Sequence, residues 1–333
     1  MRLAVDIMGG DNAPQSAVEG CQIALDTYPD IELIMIGNQD NIPETMQKSP
    51  RVTVVHTTTA IESEDSPVKA VRRKKDASMV LSVQYVKDGK ADAAVSAGNT
   101  GALMTAGLLI VGRTKGIERP ALSPMLPTLN GDGFLLLDVG ANMEAKPSHL
   151  VQYAVMGDVY MKKVRGVESP RIGLLNVGSE EGKGSELVKA AYEELNQMPL
   201  NFIGNVEARD LLEGAADVVV CDGFSGNLVL KSIEGTAMSL FSLLKEELTS
   251  SLKNKLAAGV LKPAFKTVKN KMDYSEYGGA GLFGLNAPII KAHGSSDAKA
   301  FASAVKQAKV MHDESVIETI RQSVESIKET GDQ

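Results

Sequence analysis

The stretch "RIGLLNVGSEEGKGSELVKAAYEELN", residues 171–196, contains in one run the parts from which the fold is built. Its apolar start, 171–176, predicts a buried strand, and the apolar spacing of 184–196 predicts an amphipathic helix. A glycine-rich loop joins the two. The stretch therefore predicts a strand–loop–helix unit, the repeating unit of α/β proteins.

The same order recurs along the chain. Continuous apolar runs predict strands at 2–6, 31–36, 52–55, 92–96, 133–138, 171–176, 201–203 and 217–221. Helical spacing predicts helices at 14–27, 67–87, 100–112, 148–164, 184–196, 227–250 and 296–326. Continuous apolar strands are typical of a parallel sheet with helices on both faces. We therefore expect an α/β fold, a three-layer Rossmann-like arrangement around a mostly parallel sheet.

One segment departs from this alternation. In "SPMLPTLNGDGFLLLDVG", residues 123–140, an Asn-Gly turn separates two apolar runs, which predicts an antiparallel pair of strands. No repeat of fixed period and no low-complexity linker divides the chain. We therefore expect one domain over 1–333, with a helical protrusion at 240–275.

Composition limits the class of function. A net charge of −7 and the absence of Trp count against nucleic acid as the main partner. The two cysteines cannot form a disulfide framework, which is typical of a reducing cytoplasm. The start of the chain lacks the pattern of a signal peptide, and no apolar run is long enough to predict a transmembrane helix. We expect a cytoplasmic protein.

Glycine and asparagine follow several predicted strands. Five junctions have this composition: "DIMGGDNAP" (6–14), "SAGNTG" (96–101), "DVGAN" (138–142), "NVGSEEGKG" (176–184) and "DGFSGN" (222–227). Any one of them is explained by a tight turn and a helix cap. Five at equivalent ends of one sheet favour a site for an anion and a carbonyl group, because free backbone amides at helix starts attract oxyanions.

The loop at 176–184 resembles a phosphate-binding P-loop but departs from it twice. Only three residues separate Gly178 from Gly182, and Gly184 occupies the place of the Ser or Thr that holds magnesium. Two glutamates also lie inside the loop. This pattern predicts that Lys183 binds a single small anion rather than a nucleoside triphosphate; the alternative is a solvated lysine.

Other motifs fail on their context. "GAGLFG", 279–284, matches a dinucleotide-binding pattern but does not follow a predicted strand. In "GFSGN" the second glycine comes one position too early for a nucleophile elbow, so Ser225 is interpreted as a helix cap. Cys221 ends an apolar strand and is interpreted as a buried hydrophobe. The four histidines lack metal-ligand spacing, so no metal site is predicted.

The five junctions, together with "GGAGLFGLNAPIIKAHGSSD" at 278–297, resemble the bacterial phosphate acyltransferase family, PlsX. The resemblance implies an enzyme that moves a fatty acyl group from acyl carrier protein to inorganic phosphate, giving acyl phosphate for phospholipid synthesis. It also implies a homodimer without a cofactor, which supplies a downstream glycerol-3-phosphate acyltransferase. The fold it implies is similar to those of isopropylmalate dehydrogenase and phosphate acetyltransferase.

The residues fit that chemistry. Phosphate is itself a nucleophile, so the site has to position it against the thioester and stabilise a tetrahedral oxyanion. We assign Lys183 to phosphate binding or oxyanion stabilisation, and Asn227 and Asn99 to hydrogen bonds at the reacting centre. The other expected substrate-binding residues belong to the same junctions: Gly9, Gly10, Asp11, Asn12, Ser96, Gly98, Thr100, Asn142, Gly182, Gly184, Asp222, Ser225 and Gly226.

Two basic segments suggest partner surfaces. "KAVRRKKDAS", 69–78, is expected at the start of a helix, either as a solvated face, as a docking patch for acidic acyl carrier protein, or as part of the phosphate site. Residues 248–272 contain six lysines and no acid. We expect this second segment to contact anionic membrane or to form a dimer interface. The expected membrane contacts are Leu252, Leu256, Val260, Leu261 and Phe265.

Two other functions are alternatives. A scaffold without turnover would have the same glycine-rich site and the same basic segment. An NAD- and metal-dependent hydroxyacid dehydrogenase on the related fold would need a carboxylate cluster, which Asp210, Asp217 and Asp222 do not supply by their spacing. Release of free carrier protein distinguishes an acyltransferase from a scaffold. A change in NADH absorbance distinguishes a dehydrogenase from an acyltransferase.

Overall fold

A computed structural model describes residues 1–271 and 278–331, with side chains for all of these except 269, 270 and 327–331. The predicted alternation of strands and helices is present throughout. Residues 272–275 of the predicted protrusion lie outside the described residues.

The first sheet has seven strands in the order β3-β2-β1-β4-β12-β11-β5. Strands β3, β2, β1, β4 and β12 are parallel, and β11 runs antiparallel to both of its neighbours. The bounds are β1 Arg2–Asp6, β2 Glu32–Gly37, β3 Val52–His56, β4 Ala93–Ser96, β5 Ala121–Ser123, β11 Ala280–Phe283 and β12 Ile289–Lys291.

The second sheet has five strands in the order β6-β7-β10-β8-β9. All neighbours are parallel except β6 and β7, which form the antiparallel pair that the Asn-Gly turn predicts. The bounds are β6 Met125–Leu126, β7 Phe134–Leu137, β8 Ile172–Asn176, β9 Phe202–Glu207 and β10 Val218–Val220.

The strands therefore divide between two sheets, whereas the junctions were expected at the ends of one sheet. The chain crosses from one sheet to the other at Ala121–Leu126, where β5 and β6 are separated only by Pro124. Backbone hydrogen bonds join this crossing segment to β7 and to the loop after it, from Leu136 N to Pro124 O and from Val139 N to Leu122 O. The crossing holds the carboxyl ends of the two sheets against one cleft.

Helices cover both faces of each sheet. Their bounds are α1 Gln15–Thr27, α2 Glu44–Gln47, α3 Pro67–Arg73, α4 Ser78–Lys87, α5 Thr100–Ala106, α6 Pro147–Arg165, α7 Glu186–Asn196, α8 Gly223–Thr249, α9 Leu252–Lys271, α10 Ala298–Asp313 and α11 Val316–Gly331. On β1, Leu3 and Val5 pack into one apolar cluster with α1 and α10, while Ala4 packs into the opposite cluster with α4. The three-layer, mostly parallel α/β fold is confirmed.

Two long predicted helices are each interrupted. Helix 67–87 divides into α3 and α4, because Thr57 and Thr59 bind the connecting loop through hydrogen bonds to Asp76. Helix 296–326 divides into α10 and α11 at Ser315, whose φ of 51° places it in the left-handed region.

The division of helix 67–87 corrects the expected position of the basic residues in 69–78. Arg72 and Arg73 lie in the last turn of α3, where the helix dipole favours cations. Lys74 binds Asp65 at 2.6 Å and the carbonyl of Ala60 at 3.0 Å, which gives this lysine a structural role. The exposed cations at this helix end are therefore favourably placed rather than repelled by the dipole.

Helices α8 and α9 occupy the described part of the segment in which the protrusion is predicted. Apolar side chains on both helices are exposed, including Met238, Leu243 and, on α9, Leu252, Leu256 and Val260. The last three share one helical face, as predicted. None of the helices in the described part of the chain is long and apolar enough to cross a membrane.

Candidate functional site

A cleft of about 660 Å³ opens where the carboxyl ends of the two sheets meet. Loops after β1, β4 and β12 form its first wall, and the loop after β7 together with α8 forms the second. Its polar lining includes Asp11, Asn99, Asn227, Lys231 and Lys291. Residues from four of the five predicted junctions contribute to this cleft.

Three neighbouring strands place polar side chains at the first wall. Asp6 ends β1, Ser96 ends β4, and Lys291 ends β12. The Ser96 hydroxyl donates to Asp6 at 2.6 Å and accepts from the backbone N–H of Gly98 at 3.0 Å. These bonds fix the turn that leads from β4 into the cleft.

Lys291 is a cation at the bottom of the cleft. Its side chain is buried, and Nζ donates to the carbonyl oxygen of Ala97 at 2.9 Å and to that of Ala292. Burial lowers the pKa of Lys291 to about 8, against the opposing attraction of Asp11 and Asp6. An ammonium group has three N–H donors, so one remains for a ligand in the cleft.

Glycines allow the first-wall loops to pack on each other. A Cβ on Gly9 would lie 2.6 Å from the backbone nitrogen of Gly98, so these two predicted residues meet backbone to backbone. Gly10 has a φ of 103° and lines the cleft. Asn12 ties the same loop to the chain after β12 by donating to the carbonyls of Ser295 and Ser296.

Asn99 and Thr100 lie at the start of α5. The Asn99 Oδ1 accepts from the N–H of Ala102 at 3.0 Å, and its Nδ2 donates to the carbonyl of Ser63 at 3.0 Å. Both polar atoms of this side chain are therefore engaged within the protein. Its predicted hydrogen bond to the reacting group stays a prediction, while its cap shapes the wall of the cleft.

Asn227 differs from Asn99. It lies in the first turns of α8, lines the cleft beside Gly140, and is half-buried. No hydrogen bond joins its side chain to another residue in the described part of the chain. This amide is available to a ligand.

The other predicted residues of 222–227 build the helix start. Asp222 caps α8 by accepting from the N–H of Ser225 at 2.8 Å, and the Ser225 hydroxyl also donates to Asp222. The cap is thus Asp222 rather than Ser225, and α8 begins at Gly223 rather than at 227. A Cβ on Gly226 would lie 1.9 Å from the carbonyl oxygen of Asp138, so this glycine permits the close approach of α8.

A buried network supports the second wall. Burial raises the pKa of Asp138 to about 6, although its carboxylate accepts hydrogen bonds from the N–H groups of Leu122, Ala141 and Asn142. The side chain of Asn142 donates to Asp138 and to the hydroxyl of Tyr153, each at 3.0 Å. Asn142, predicted to bind substrate, therefore holds the β7 loop together beneath the cleft.

Lys231 and Glu234 lie on the next turns of α8. They form an ion pair at 2.7 Å, and Nε2 of His293 lies 3.9 Å from Glu234. Glu234 is buried, whereas the side chain of Lys231 is more than half exposed. This pair places a second cation at the mouth of the cleft.

The loop with Lys183 is not part of the cleft lining. The Lys183 side chain is more than half exposed, and its Nζ lies 3.9 Å from Glu180. Gly184 has a φ of 90°, and Gly182 has open space where a Cβ would be. The loop follows β8 and Asn227 follows β10, and these two strands are neighbours, so both segments leave the second sheet at its carboxyl edge. The predicted roles of these three residues stay predictions.

The rejected motifs are explained by the structure. Part of 279–284 forms β11, so "GAGLFG" is not the turn between a strand and a helix. Cys221 is buried, as predicted, and burial raises the pKa of its thiol well above the usual value. In the described ranges no group of three or more His, Cys, Asp or Glu is placed to hold a metal ion.

Residues 1–319 match the family described as fatty acid synthesis protein. A protein from Shouchella clausii named phosphate acyltransferase is 63% identical over 326 residues, covering 98% of this chain and 99% of the relative. A protein of the same name from Bacillus cereus is 59% identical and covers 98% of each chain.

The chain belongs to this family. The predicted family and the prediction of an acyltransferase enzyme are thereby confirmed. Among solved structures, a phosphotransacetylase from Streptococcus pyogenes aligns with a TM-score of 0.62 at 16% identity, covering 96% of this chain and 94% of its own. A branched-chain phosphotransacylase from Enterococcus faecalis aligns with a TM-score of 0.61 at 16% identity, covering 94% of this chain and 99% of its own. These likenesses confirm the predicted phosphate acetyltransferase type of fold.

Four residues in or directly beneath the cleft were not predicted from the sequence: Asp138, Lys231, Glu234 and Lys291. A signal for Lys231 was present, because it follows Asn227 by four residues and so shares its helical face. No local signal marks Lys291, which ends a three-residue strand.

Proposed function

We propose that this enzyme transfers a fatty acyl group from acyl carrier protein to inorganic phosphate, producing acyl phosphate for phospholipid synthesis. The observation that carries the proposal is the set of donors around one cleft: Lys291, Lys231 and the free amide of Asn227. Such a set suits an anion and a carbonyl group. The relatives named phosphate acyltransferase support the same assignment.

The reaction needs no nucleophile from the protein. An oxygen of phosphate attacks the thioester carbonyl carbon, the C–S bond breaks, and the proton lost by phosphate ends on the sulfur of the carrier. We assign Lys291 to phosphate binding. One N–H of its ammonium group remains to donate to an anion, and its charge is poorly screened by solvent. Asn227 is assigned to the developing oxyanion, where one preorganised donor contributes about 10²–10³-fold in rate.

Labelled inorganic phosphate tests the function directly. Incubated with an acyl carrier protein thioester and a metal chelator, and without nucleotide, the enzyme is expected to form labelled acyl phosphate and free carrier. Release of free carrier without labelled product would indicate hydrolysis, and no release would support a scaffold. Activity that is lost in chelator and restored by magnesium would contradict the metal-free mechanism.

The carrier protein needs an electropositive surface, because it is acidic. Exposed cations at the end of α3, Arg72 and Arg73 with Lys69 and Lys75 beside them, supply one. Helix α3 packs against α5, whose first residues line the cleft. We assign carrier docking to this patch, next to the cleft that receives its acyl group.

We further propose a cytoplasmic homodimer that binds anionic membrane through α9 and supplies acyl phosphate to a downstream glycerol-3-phosphate acyltransferase. Exposed Leu252, Leu256, Val260 and Leu261 support this surface, and each nearby lysine adds about 1 kcal/mol at an anionic bilayer. Phe265 is half-buried against α8, so its predicted membrane contact is not favoured by the structure.

Leu256→Glu is expected to abolish sedimentation with anionic vesicles, even in dilute buffer, because it places a charge within the apolar face of α9. Rising salt should weaken binding of the unaltered protein, since screening limits the reach of each lysine to about 8 Å at physiological ionic strength. Activity on a soluble substrate should persist.

Ile203→Glu is the matched control. Ile203 is another exposed aliphatic residue, on β9, and the substitution changes the net charge equally. It should leave vesicle binding unchanged. If Leu256→Glu separates the subunits but the protein still binds vesicles, α9 is an interface element and the membrane assignment is wrong.

A further inference from the structure

A second cavity of about 940 Å³ lies between α8 and α9. Its lining is mainly apolar and comes from the facing sides of the two helices: Ile233, Ala237, Phe241, Leu248, Ala258 and Phe265. These side chains are only half-buried, although their neighbours on the outer sides of both helices are exposed. The helices therefore enclose a groove that they do not fill.

The groove adjoins the cleft. Leu126, on the crossing between the sheets, and Glu234, on α8, line both cavities. Glu234 is buried at this junction and paired with Lys231. A molecule with a polar reacting end and an apolar tail that occupied both cavities would pass this junction.

We propose that this groove binds the fatty acyl chain, with the thioester carbonyl in the cleft at Asn227, the chain passing the Leu126–Glu234 junction and the methyl end toward Leu248. The proposal rests on the proposed function, since it assigns the tail of the same substrate. From Glu234 to Leu248 the groove follows α8 for about 21 Å, at 1.5 Å per residue. A groove of this length accommodates a long-chain acyl group rather than an acetyl group.

The lysines at the groove, Lys245, Lys262 and Lys266, lie on its rim. Their aliphatic stems can cover an apolar tail while their ammonium groups stay in water. The groove also opens along the protrusion that carries the exposed face of α9. An acyl chain in it is shielded from solvent but lies beside the surface proposed to meet the bilayer.

The chain-length dependence of the reaction tests the proposal. For the unaltered enzyme, kcat/KM should rise with acyl length, by up to about fourfold for each methylene removed from water. Ala258→Phe, which fills the groove part-way along, should lower kcat/KM for hexadecanoyl thioester at least tenfold and leave butanoyl thioester unchanged. Ala237→Phe blocks the groove nearer the cleft, so the longest acyl chain that still reacts well should be shorter than in Ala258→Phe.

Ala257→Phe is the matched control, because it adds the same bulk one residue away at an exposed position. It should keep the unaltered chain-length profile, and thermal unfolding should show that all variants fold. Unchanged profiles in both groove variants, or an equal loss for every chain length, would overturn the acyl assignment. An unchanged profile with loss of the dimer would indicate that a second copy of the chain covers the groove. If the unaltered enzyme forms no acyl phosphate from any thioester, the proposed function fails instead.

Discussion

Lys291→Met should lower kcat/KM for phosphate by about 10²–10³-fold, the range found when one preorganised donor to a developing charge is removed. Methionine keeps the unbranched stem and removes the charge. The side chain is buried among backbone carbonyls, so no water replaces the lost ammonium easily. Steady-state kinetics with varied phosphate measure the effect.

The same lysine should give the reaction a characteristic pH dependence. Burial lowers the pKa of Lys291 to about 8, so raising the pH through this value removes the proton and the charge. The kcat/KM for phosphate should therefore fall above pH 8 in the unaltered enzyme. Lys291→Arg, which stays protonated, should lack this fall even if its activity is lower.

Stability should change in the opposite direction. Between pH 8 and the ordinary lysine pKa of 10.5, the unfolded chain binds a proton that the folded protein does not. The free energy of unfolding should therefore rise with pH in this window, and Lys291→Met should lack this contribution. Lys299→Met, at an exposed position of α10, is the control for loss of a lysine and should alter neither property. Unaltered phosphate kinetics in Lys291→Met would remove this lysine from the mechanism.

The local sequence pattern was sufficient to predict those helices and strands that are long or that flank a defined turn. The alternation of strands and helices, the antiparallel pair at the Asn-Gly turn and the glycine-rich strand ends could all be predicted, because each depends on spacing or on backbone freedom within a few residues. The loop glycines illustrate this: Gly9 and Gly98 were predicted from their own junctions and meet each other in the structure.

The division into two sheets could not be predicted in this way. It depends on β5, β11 and β12, which are short, and on the pairings of β11 with β5 and of β12 with β4, which are distant in sequence. The hydroxyl groups of Thr57 and Thr59 interrupt a helix that the apolar spacing alone would continue. Tertiary contacts of this kind outweigh local helix propensity.

The residues of the site could not be fully predicted from local sequence either. Lys291 reads in sequence as a lysine between short apolar runs, and only the pairing of β12 with β4 buries it beside Asp6 and Ser96. Asn99 and Asn227 have similar local sequences, yet one is engaged as a helix cap and the other remains available. Whether an asparagine serves the fold or the substrate depends on neighbours that its own junction does not contain.

Lys183→Ala should lower turnover by about 10²–10³-fold while leaving the fold intact, because an exposed loop lysine contributes little to packing but one charge-assisted contact to a developing anion is worth this much in rate. Lys183 lies outside the cleft lining, on the loop after β8 at the same sheet edge. Its partner at 3.9 Å, Glu180, is itself exposed, so the ion pair holds it weakly. The prediction requires this long, weakly held cation to reach an anion at the edge of the cleft.

The two roles assigned to Lys183 predict different kinetics. If it only binds phosphate in the ground state, Lys183→Ala raises KM for phosphate and saturating phosphate restores turnover. If it stabilises the oxyanion, kcat falls and saturation does not restore it; this is the result we expect.

Lys189→Ala is the matched control, because Lys189 is a similarly exposed lysine with a glutamate three residues before it on α7. It should stay within about twofold of the unaltered enzyme, because Lys189 lies on α7 and not in the cleft lining, and its surface ion pair contributes little to the stability of the fold. Near-normal turnover of Lys183→Ala at saturating phosphate would contradict the oxyanion role of Lys183 and leave Asn227 as the donor to the oxyanion.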